Sequence, residues 1–157
     1  MRFVVAAVGR IKTAHFEAGC QDYLSRLQHS FPTRVVEVRD APRNAGGTPD
    51  KWRALEADGI LAAVPPGAQL LALDERGVGL TSKAFAEHIG QLRDRSVPAL
   101  VFAIGGPDGL DERVRQAAVK TLCLGPMTMP LELARLVLLE QLYRAASILA
   151  GSPYHRG

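Results

Sequence analysis

The chain has 157 residues, of which 47% are hydrophobic, and these values are typical of one folded domain spanning residues 1–157. It has no charged-then-apolar leader and no apolar run of membrane-spanning length, which favours a cytoplasmic protein with no membrane partner. The formal net charge of +3 is compatible with an RNA partner but does not indicate one. Cys20 and Cys123 are too few for a disulfide scaffold, so both are expected to be reduced thiols.

The first half of the chain alternates apolar strands with helical segments. The predicted elements are a strand over Arg2–Val8, a helix over residues 13–29, a strand over 33–39 and a helix that ends near residue 64. Thr48 is the expected N-cap of the second helix, because Pro49 suits the first helical position. Between the second strand and this helix lies a turn-rich, basic loop over residues 40–49.

The second half continues the same alternation. The predicted elements are strands over residues 69–73, 97–104 and 121–124, helices from Thr81 or Ser82 to about Arg95 and from Asp111 to about Lys120, and a last helix over Leu131–Leu149. Strands and helices in alternation build a parallel sheet with helices on both faces. The predicted fold class is therefore α/β, in one domain, and the continuously apolar strands agree with a sheet covered on both sides.

The last helix is apolar around most of its circumference. Its charged residues are expected to occupy one narrow sector, and they are Glu132, Arg135, Glu140 and Arg144. A helix of this kind is buried on several sides. In so short a chain a second subunit buries it more easily than the chain itself does, which predicts a two-fold homodimer.

Three strands are followed by loops rich in glycine, proline or charge, over residues 73–77, 104–107 and 124–127. Parallel sheets bind ligands at the carboxyl ends of their strands, so neighbouring strands would bring these loops to one crevice. Any single loop is better explained as a simple turn made by glycine and proline. The three loops together favour a binding site.

Other kinds of site receive little support from the residues. Gly105 and Gly106 lack the spacing of a dinucleotide fingerprint or a P-loop, and Pro107 and Asp108 disfavour a phosphate cradle. The four histidines and two cysteines show no spacing suited to a metal, so no metal site is expected. A serine–histidine nucleophile motif is also absent. Cys123 lies in an apolar strand and is expected to belong to the core.

Two polar features remain open to more than one interpretation. Tyr154, His155 and Arg156 at the C-terminus suit chemistry or anion contact, although a chain end is often frayed; the aromatic ring favours docking. A set of basic residues at strand exits forms either an RNA-facing rim or an ordinary solvated surface, and its members are Arg10, Lys12, Arg39 and Arg43.

Several motifs in the C-terminal half resemble one protein family. They are Leu73-Asp74-x-x-Gly77, Ile104-Gly105-Gly106-Pro107-x-Gly109, Met127-Thr128-x-Pro130, the helical run from Leu138 to Ala145, and Pro153-Tyr154-His155-Arg156. Together they resemble the RlmH family of bacterial large-subunit ribosomal RNA methyltransferases, which belongs to the SPOUT superfamily. The resemblance covers the whole chain, and its C-terminal motifs are specific when taken together.

The resemblance implies a C-terminal trefoil knot, an obligate homodimer and S-adenosylmethionine (SAM) bound in the knot. It implies methylation of N3 of a pseudouridine in helix 69 of 23S rRNA on the assembled ribosome. Carried over by motif, the cofactor contacts are Leu73, Gly105, Gly106, Leu124, Gly125, Pro126, Met127, Thr128, Met129 and Pro130. The catalytic residues are Tyr154, His155 and Arg156, which would complete the partner subunit's site.

The chain departs from the family at Leu131, where the family usually has histidine. An alternative function from another class is a non-catalytic nucleotide- or RNA-binding α/β module. A Rossmann oxidoreductase is a weaker alternative, because the turn after the first strand lacks the glycine fingerprint.

Overall fold

Five parallel strands form one sheet in a computed structural model that describes all 157 residues. The strands are β1 (Arg2–Val8), β2 (Thr33–Val38), β3 (Gln69–Gly79), β4 (Ala99–Ile104) and β5 (Lys120–Cys123). Their order across the sheet is β2-β1-β4-β3-β5, and every pair is parallel. The predicted parallel sheet is confirmed, and β4, β3 and β5 are neighbours as the shared crevice requires.

Five α-helices connect and follow the strands. They are α1 (Ala14–Leu27), α2 (Pro49–Ala62), α3 (Ser82–Asp94), α4 (Glu112–Ala117) and α5 (Leu131–Leu149). The predicted cap Thr48 accepts a hydrogen bond from the amide of Lys51, and Thr81 rather than Ser82 caps α3. No helix has the length and apolar character that crossing a membrane would require.

Two predicted boundaries were wrong. β3 was expected to end at Leu73, but after an irregular stretch Val78 and Gly79 pair again with Leu122 and Cys123 of β5. The charged residues in between look like a turn in sequence, yet they only interrupt one long strand. The helix predicted to reach Lys120 ends at Ala117. It ends early because the chain that follows is already bound to β3. The Val119 amide donates a hydrogen bond of 2.8 Å to the Leu70 carbonyl.

Helices cover both faces of the sheet, as predicted. The larger core cluster packs α1, α3 and α5 on one face, and the smaller one packs α2 and α4 on the other. The strands β1 and β4 are almost fully buried between these two layers. Both faces of the sheet are therefore used for stability, and only its carboxyl edge is free to carry a ligand site.

The last helix is buried mainly by its own chain. It lies between α1 and α3, where Gly19 and Gly90 leave room for Leu136 and Leu149; a Cβ at either glycine would lie 2.9 Å from the leucine. Its charges do not share one narrow sector, which corrects the expectation. Arg135 is buried against the sheet, whereas Glu140 and Arg144 lie on the opposite side and bind the C-terminal tail.

The outward side of α5 carries two half-buried apolar side chains, Leu133 and Val137. Neither belongs to a core cluster or packs against one. The part of α5 that its own chain does not cover is therefore a narrow stripe rather than most of the helix.

Candidate active site

The three loops singled out in the sequence meet at the carboxyl edge of the sheet. They surround a cleft of about 850 Å³, a size typical of small-molecule sites. The residues expected to bind cofactor that line it are Leu73, Gly105, Gly106, Leu124, Gly125, Met127, Thr128, Met129 and Pro130. Pro126 is exposed on the same loop and does not line the cleft.

The glycines after β4 are required by the packing of their own loop. Gly109 has φ +84°, and its amide donates to the Gly106 carbonyl at 3.0 Å, closing a tight turn. A Cβ on Gly105 would lie 2.8 Å from the Gly109 backbone, and one on Gly106 would lie 2.7 Å from the Glu56 carboxylate. The loop can therefore keep this shape only with glycine at these positions.

A partly shielded group of three charged side chains holds this loop from behind. The Arg43 guanidinium donates to Asp108 Oδ2 at 2.7 Å and to Glu56 Oε1 at 2.8 Å, and it lies over the ring of Trp52. Glu56 is 2% exposed and also accepts from the Ala41 amide. Arg43 was predicted as part of a solvent-facing basic rim, and this was wrong, because two carboxylates and an aromatic ring enclose it.

The irregular stretch within β3 is stabilised by the carboxylate of Asp74. Asp74 accepts hydrogen bonds from the side chain and amide of Arg76, and Arg115 lies 3.5 Å away. The side-chain hydrogen bonds from Arg76 lower the pKa of the Asp74 carboxyl to about 2. Asp74 is therefore an anion at neutral pH, and it serves to shape this stretch.

The loop after β5 is joined to the irregular stretch within β3. The Thr128 hydroxyl donates to Glu75 at 2.7 Å, which closes one wall of the cleft. The Cys123 thiol lies 2.8 Å from the Gly125 carbonyl, so this half-buried cysteine stabilises the start of the loop. A Cβ on Gly125 would meet nothing closer than Met129 at 3.9 Å, so its backbone lies open towards the cleft.

Four further lining residues come from helices and were not predicted. Leu131 and Ala134 stand one turn apart at the start of α5, and this spacing next to a predicted loop could have indicated them. Arg53 and Arg115 come from α2 and α4, and no local signal marks them. Both are occupied by acids, Arg53 by Asp50 and Arg115 by Glu112.

The C-terminal tail is docked rather than frayed, but it lies away from the cleft of its own chain. The Tyr154 ring packs edge-on against Tyr143 at 4.7 Å, and its hydroxyl donates to Glu140 at 3.0 Å. Burial raises the pKa of Tyr154, with further contributions from Tyr23 and Glu140. Tyr154 therefore stays neutral and acts as an anchor for the residues that follow it.

His155 is held in one tautomer by its neighbour. Arg144 Nη1 lies 3.3 Å from His155 Nδ1, and a guanidinium can only donate. The Nδ1 atom must therefore accept, which leaves the proton of the neutral ring on Nε2. The neutral His155 ring therefore has its hydrogen-bond donor at Nε2. Arg156 is exposed beside it, without an ion-pair partner.

Comparisons with known proteins agree over almost the whole chain. A family model described as predicted SPOUT methyltransferase matches residues 1–155. Ribosomal RNA large subunit methyltransferase H of Rhodospirillum centenum is 49% identical over 156 residues, covering 99% of each chain. Proteins of the same name from Brucella anthropi and Nitrobacter hamburgensis are 45% and 42% identical over 159 and 160 residues, covering at least 99% of each chain.

Proposed function

We propose that this chain, which belongs to the SPOUT methyltransferase family, methylates ribosomal RNA of the large subunit. The observation that carries the proposal is the single cleft formed by the three loops at the carboxyl edge of the sheet. The full-length similarity to proteins named for this activity supports the choice of substrate.

SAM is the proposed methyl donor, and its sulfonium supplies an activated methyl group. The cleft fits a nucleoside-sized ligand, and the open backbone at Gly125 lets such a ligand approach closely. Each arginine that lines the cleft is already paired with a carboxylate, so no free cation favours a polyphosphate. The proposed contacts are the nine predicted residues that line the cleft, with Leu73, Leu124 and Met129 as apolar walls.

The protein's task in this reaction is to align the two reactants and to stabilise the target base while its N3 proton passes to solvent water. Transfer to a ring nitrogen needs the two reactants held in line, which positioning supplies without a covalent intermediate. We assign the contact with the reacting base to His155 and the contact with a phosphate or anionic base to Arg156. The specific position that we propose is N3 of a pseudouridine in helix 69 of 23S rRNA on the assembled ribosome.

We further propose that the working protein is a homodimer in which each tail serves the partner's cleft. In one chain Tyr154 and His155 contact α1 and α5 and do not line the cleft. The uncovered apolar stripe of Leu133 and Val137 lies on the same helix as the residues that dock the tail. A ribosomal substrate would also set the protein's location in the cytoplasm.

A trefoil knot in the C-terminal half is part of the same proposal. Its support is the match of residues 1–155 to the SPOUT methyltransferase family. Stretching single molecules from both termini tests this directly. An unknotted chain reaches about 3.5 Å per residue, whereas a knotted one remains measurably shorter.

The activity is tested with purified protein, methyl-labelled SAM and ribosomes, followed by mapping of the modified nucleotide. Methyl transfer to N3 of a large-subunit pseudouridine is the expected result. Transfer to carbon or ribose would contradict the position, and no transfer to any RNA would contradict the function. Calorimetry separates the remaining alternative, because a non-catalytic nucleotide-binding module would bind ATP and ignore SAM.

A further inference from the structure

The carboxyl edge of the sheet carries a second feature beside the cleft. Arg10 and Lys12 follow β1, and Arg39 follows the neighbouring strand β2. All three side chains are exposed, and none takes part in a salt bridge or a side-chain hydrogen bond. The arginines that line the cleft differ, because each of them is paired with an acid.

These three cations leave the sheet close together. The last residues of β1 and β2, Val8 and Val38, are partners across the ladder, and the Gly9 amide donates to the Val38 carbonyl at 2.8 Å. Adjacent strands lie about 4.8 Å apart, so the backbones at Arg10 and Arg39 start from neighbouring positions. We call Arg10, Lys12 and Arg39 the basic edge.

Two acids near the basic edge, Glu37 and Glu132, already have partners, whereas Asp40 beside Arg39 is exposed and makes no side-chain hydrogen bond or salt bridge. Glu37 accepts from the Ile11 amide at 3.3 Å and from buried Arg135, which also donates to the Gly9 carbonyl at 2.8 Å. Glu132 accepts from the amides of Lys12 and Thr13. The loop is thus fixed by two carboxylates that bind its backbone, and its cationic side chains point to solvent without partners.

The same contacts join the basic edge to the cleft. Leu131 lines the cleft, and the next residue, Glu132, holds the loop that carries Lys12. The first turn of α5 is therefore shared between the two features. A chain of phosphates lying on the basic edge would have its bases at the mouth of the cleft.

We propose that the basic edge is the surface that binds the phosphate backbone of the substrate RNA and sets the target base over the cleft. Unpaired cations on a fixed loop suit phosphates, because their charge is neither neutralised in advance nor free to move away. The proposal rests on the proposed function for the identity of the RNA, but the surface makes a prediction of its own.

The test compares two triple variants of equal charge change. The first replaces Arg10, Lys12 and Arg39 by glutamine. The control replaces Arg2, Arg34 and Arg95, which are equally exposed and unpaired but lie at the amino edge of the sheet. Binding of a fluorescently labelled single-stranded RNA is measured over a range of salt, and the apparent KM is measured for assembled ribosomes.

The basic-edge variant is expected to bind RNA about tenfold or more weakly. The slope of log affinity against log salt concentration is expected to become shallower by about 2, with ~0.7 for each lost phosphate contact. The variant's KM for assembled ribosomes rises in parallel, its affinity for SAM is unchanged by calorimetry, and the control changes each value less than about twofold. Equal losses in both variants would overturn the proposal. So would a raised KM with unchanged RNA binding, which would indicate an acidic protein surface as the partner.

The two proposals can fail separately. If the wild-type protein binds RNA through the basic edge but transfers no methyl group, the function is wrong and the surface stands. If the basic-edge variant methylates assembled ribosomes with wild-type KM, the surface is wrong and the function stands.

Discussion

At the scale of single residues, the charges around the cleft mainly hold its loops in place. Arg43 pairs with Asp108 behind the glycine loop, and Arg76 pairs with Asp74 in the irregular stretch within β3. The carboxylates Asp74 and Glu56 are shielded from water, so the loss of their arginine partners would leave a buried charge without compensation. Single substitutions at such positions act on stability first and on ligand binding through it.

Asp74→Asn tests this role of the Asp74 carboxylate. Because the folded pKa of about 2 is below the unfolded value of about 3.9, the ionised carboxylate stabilises the fold above about pH 4. This contribution is lost as the pH falls from about 4 to about 2. We expect the variant to be less stable by about 1–2 kcal/mol at pH 7 and nearly equal to wild type at pH 2.

Urea unfolding at the two pH values measures the difference for Asp74→Asn. Asp50→Asn is the control, because Asp50 also pairs with an arginine but is 89% exposed. Its effect should stay below about 0.5 kcal/mol at both pH values. A constant deficit for Asp74→Asn across the range would contradict the assigned role of the charge.

Substitutions of His155 distinguish a role as hydrogen-bond donor from a role as general base. Since Arg144 donates to Nδ1, the ring presents Nε2–H, which can stabilise a developing charge but cannot accept a proton. His155→Gln keeps a donor near this position, whereas His155→Ala removes it. We expect the alanine variant to lose methyl transfer by about a hundredfold or more and the glutamine variant to keep at least about a tenth of the wild-type rate.

Single-turnover rates with labelled SAM measure both His155 variants. If glutamine and alanine are equally inactive while both proteins bind SAM and RNA normally, His155 acts as a base and the donor role is wrong.

At the scale of elements, α5 has two sides with different tasks. Its inner side enters the main core through fully buried Leu138, Leu139 and Leu142. Its outer side bears Leu133 and Val137, which pack against no core cluster. The inner side therefore decides whether the chain folds, and the outer side is the proposed contact with a second subunit.

Val137→Asp is expected to separate the two tasks. A charge in the proposed interface costs several kcal/mol of association, while the fold of one chain loses little because Val137 is only half-buried. Light scattering and sedimentation should show a folded monomer. Leu138→Ala is the matched control, since it should remain a dimer but unfold with about 2–5 kcal/mol less free energy.

Leu138→Asp would not show whether the outer side of α5 forms the contact with a second subunit. Asp at a fully buried core position is expected to unfold the chain itself, so loss of the dimer would follow trivially. A Val137→Asp protein that remains dimeric at low micromolar concentration would place the interface on another surface.

At the scale of the whole molecule, each chain separates its tail from its cleft. Tyr154 is anchored to α1 and α5, and the cleft lies at the carboxyl edge of the sheet between β4, β3 and β5. Removing residues 154–157 should leave the fold and the dimer intact, because these residues add little to the core, and should largely abolish methyl transfer.

A mixed dimer tests whether the tail acts on the partner. One subunit lacks residues 154–157, and the other carries Gly125→Val, which strains a position with φ +157° and places a side chain in the space open to the cleft. Neither homodimer should be active, but the mixed dimer has one intact cleft beside one intact tail from the partner. We expect it to recover up to about half of the wild-type rate, one composite site out of two.

Differently tagged subunits, purified in sequence, give the mixed dimer, and labelled SAM measures its activity. An inactive mixed dimer that still binds SAM in the subunit with the intact cleft would mean that the tail serves its own chain. An active homodimer without residues 154–157 would exclude the tail from catalysis.

Local chemistry was sufficient to predict most elements and the cleft loops. The limits of β1 and α5, the caps Thr48 and Thr81 and the alternation of strands and helices all follow from short-range patterns of apolar, capping and breaking residues. The cleft followed from the rule that parallel strands place their carboxyl ends together. Each of these inferences needs only residues that are neighbours in the chain or strands that share a sheet.

Only the tertiary structure decided the features that depend on distant partners. Arg43 is an enclosed ion-pair partner and not part of a basic surface, because Asp108 reaches it from 65 positions further along the chain. β3 continues to Gly79 because β5 offers it a second set of pairing positions. The order β2-β1-β4-β3-β5 depends on which apolar faces pack together, and that is decided by the whole core rather than by any local segment.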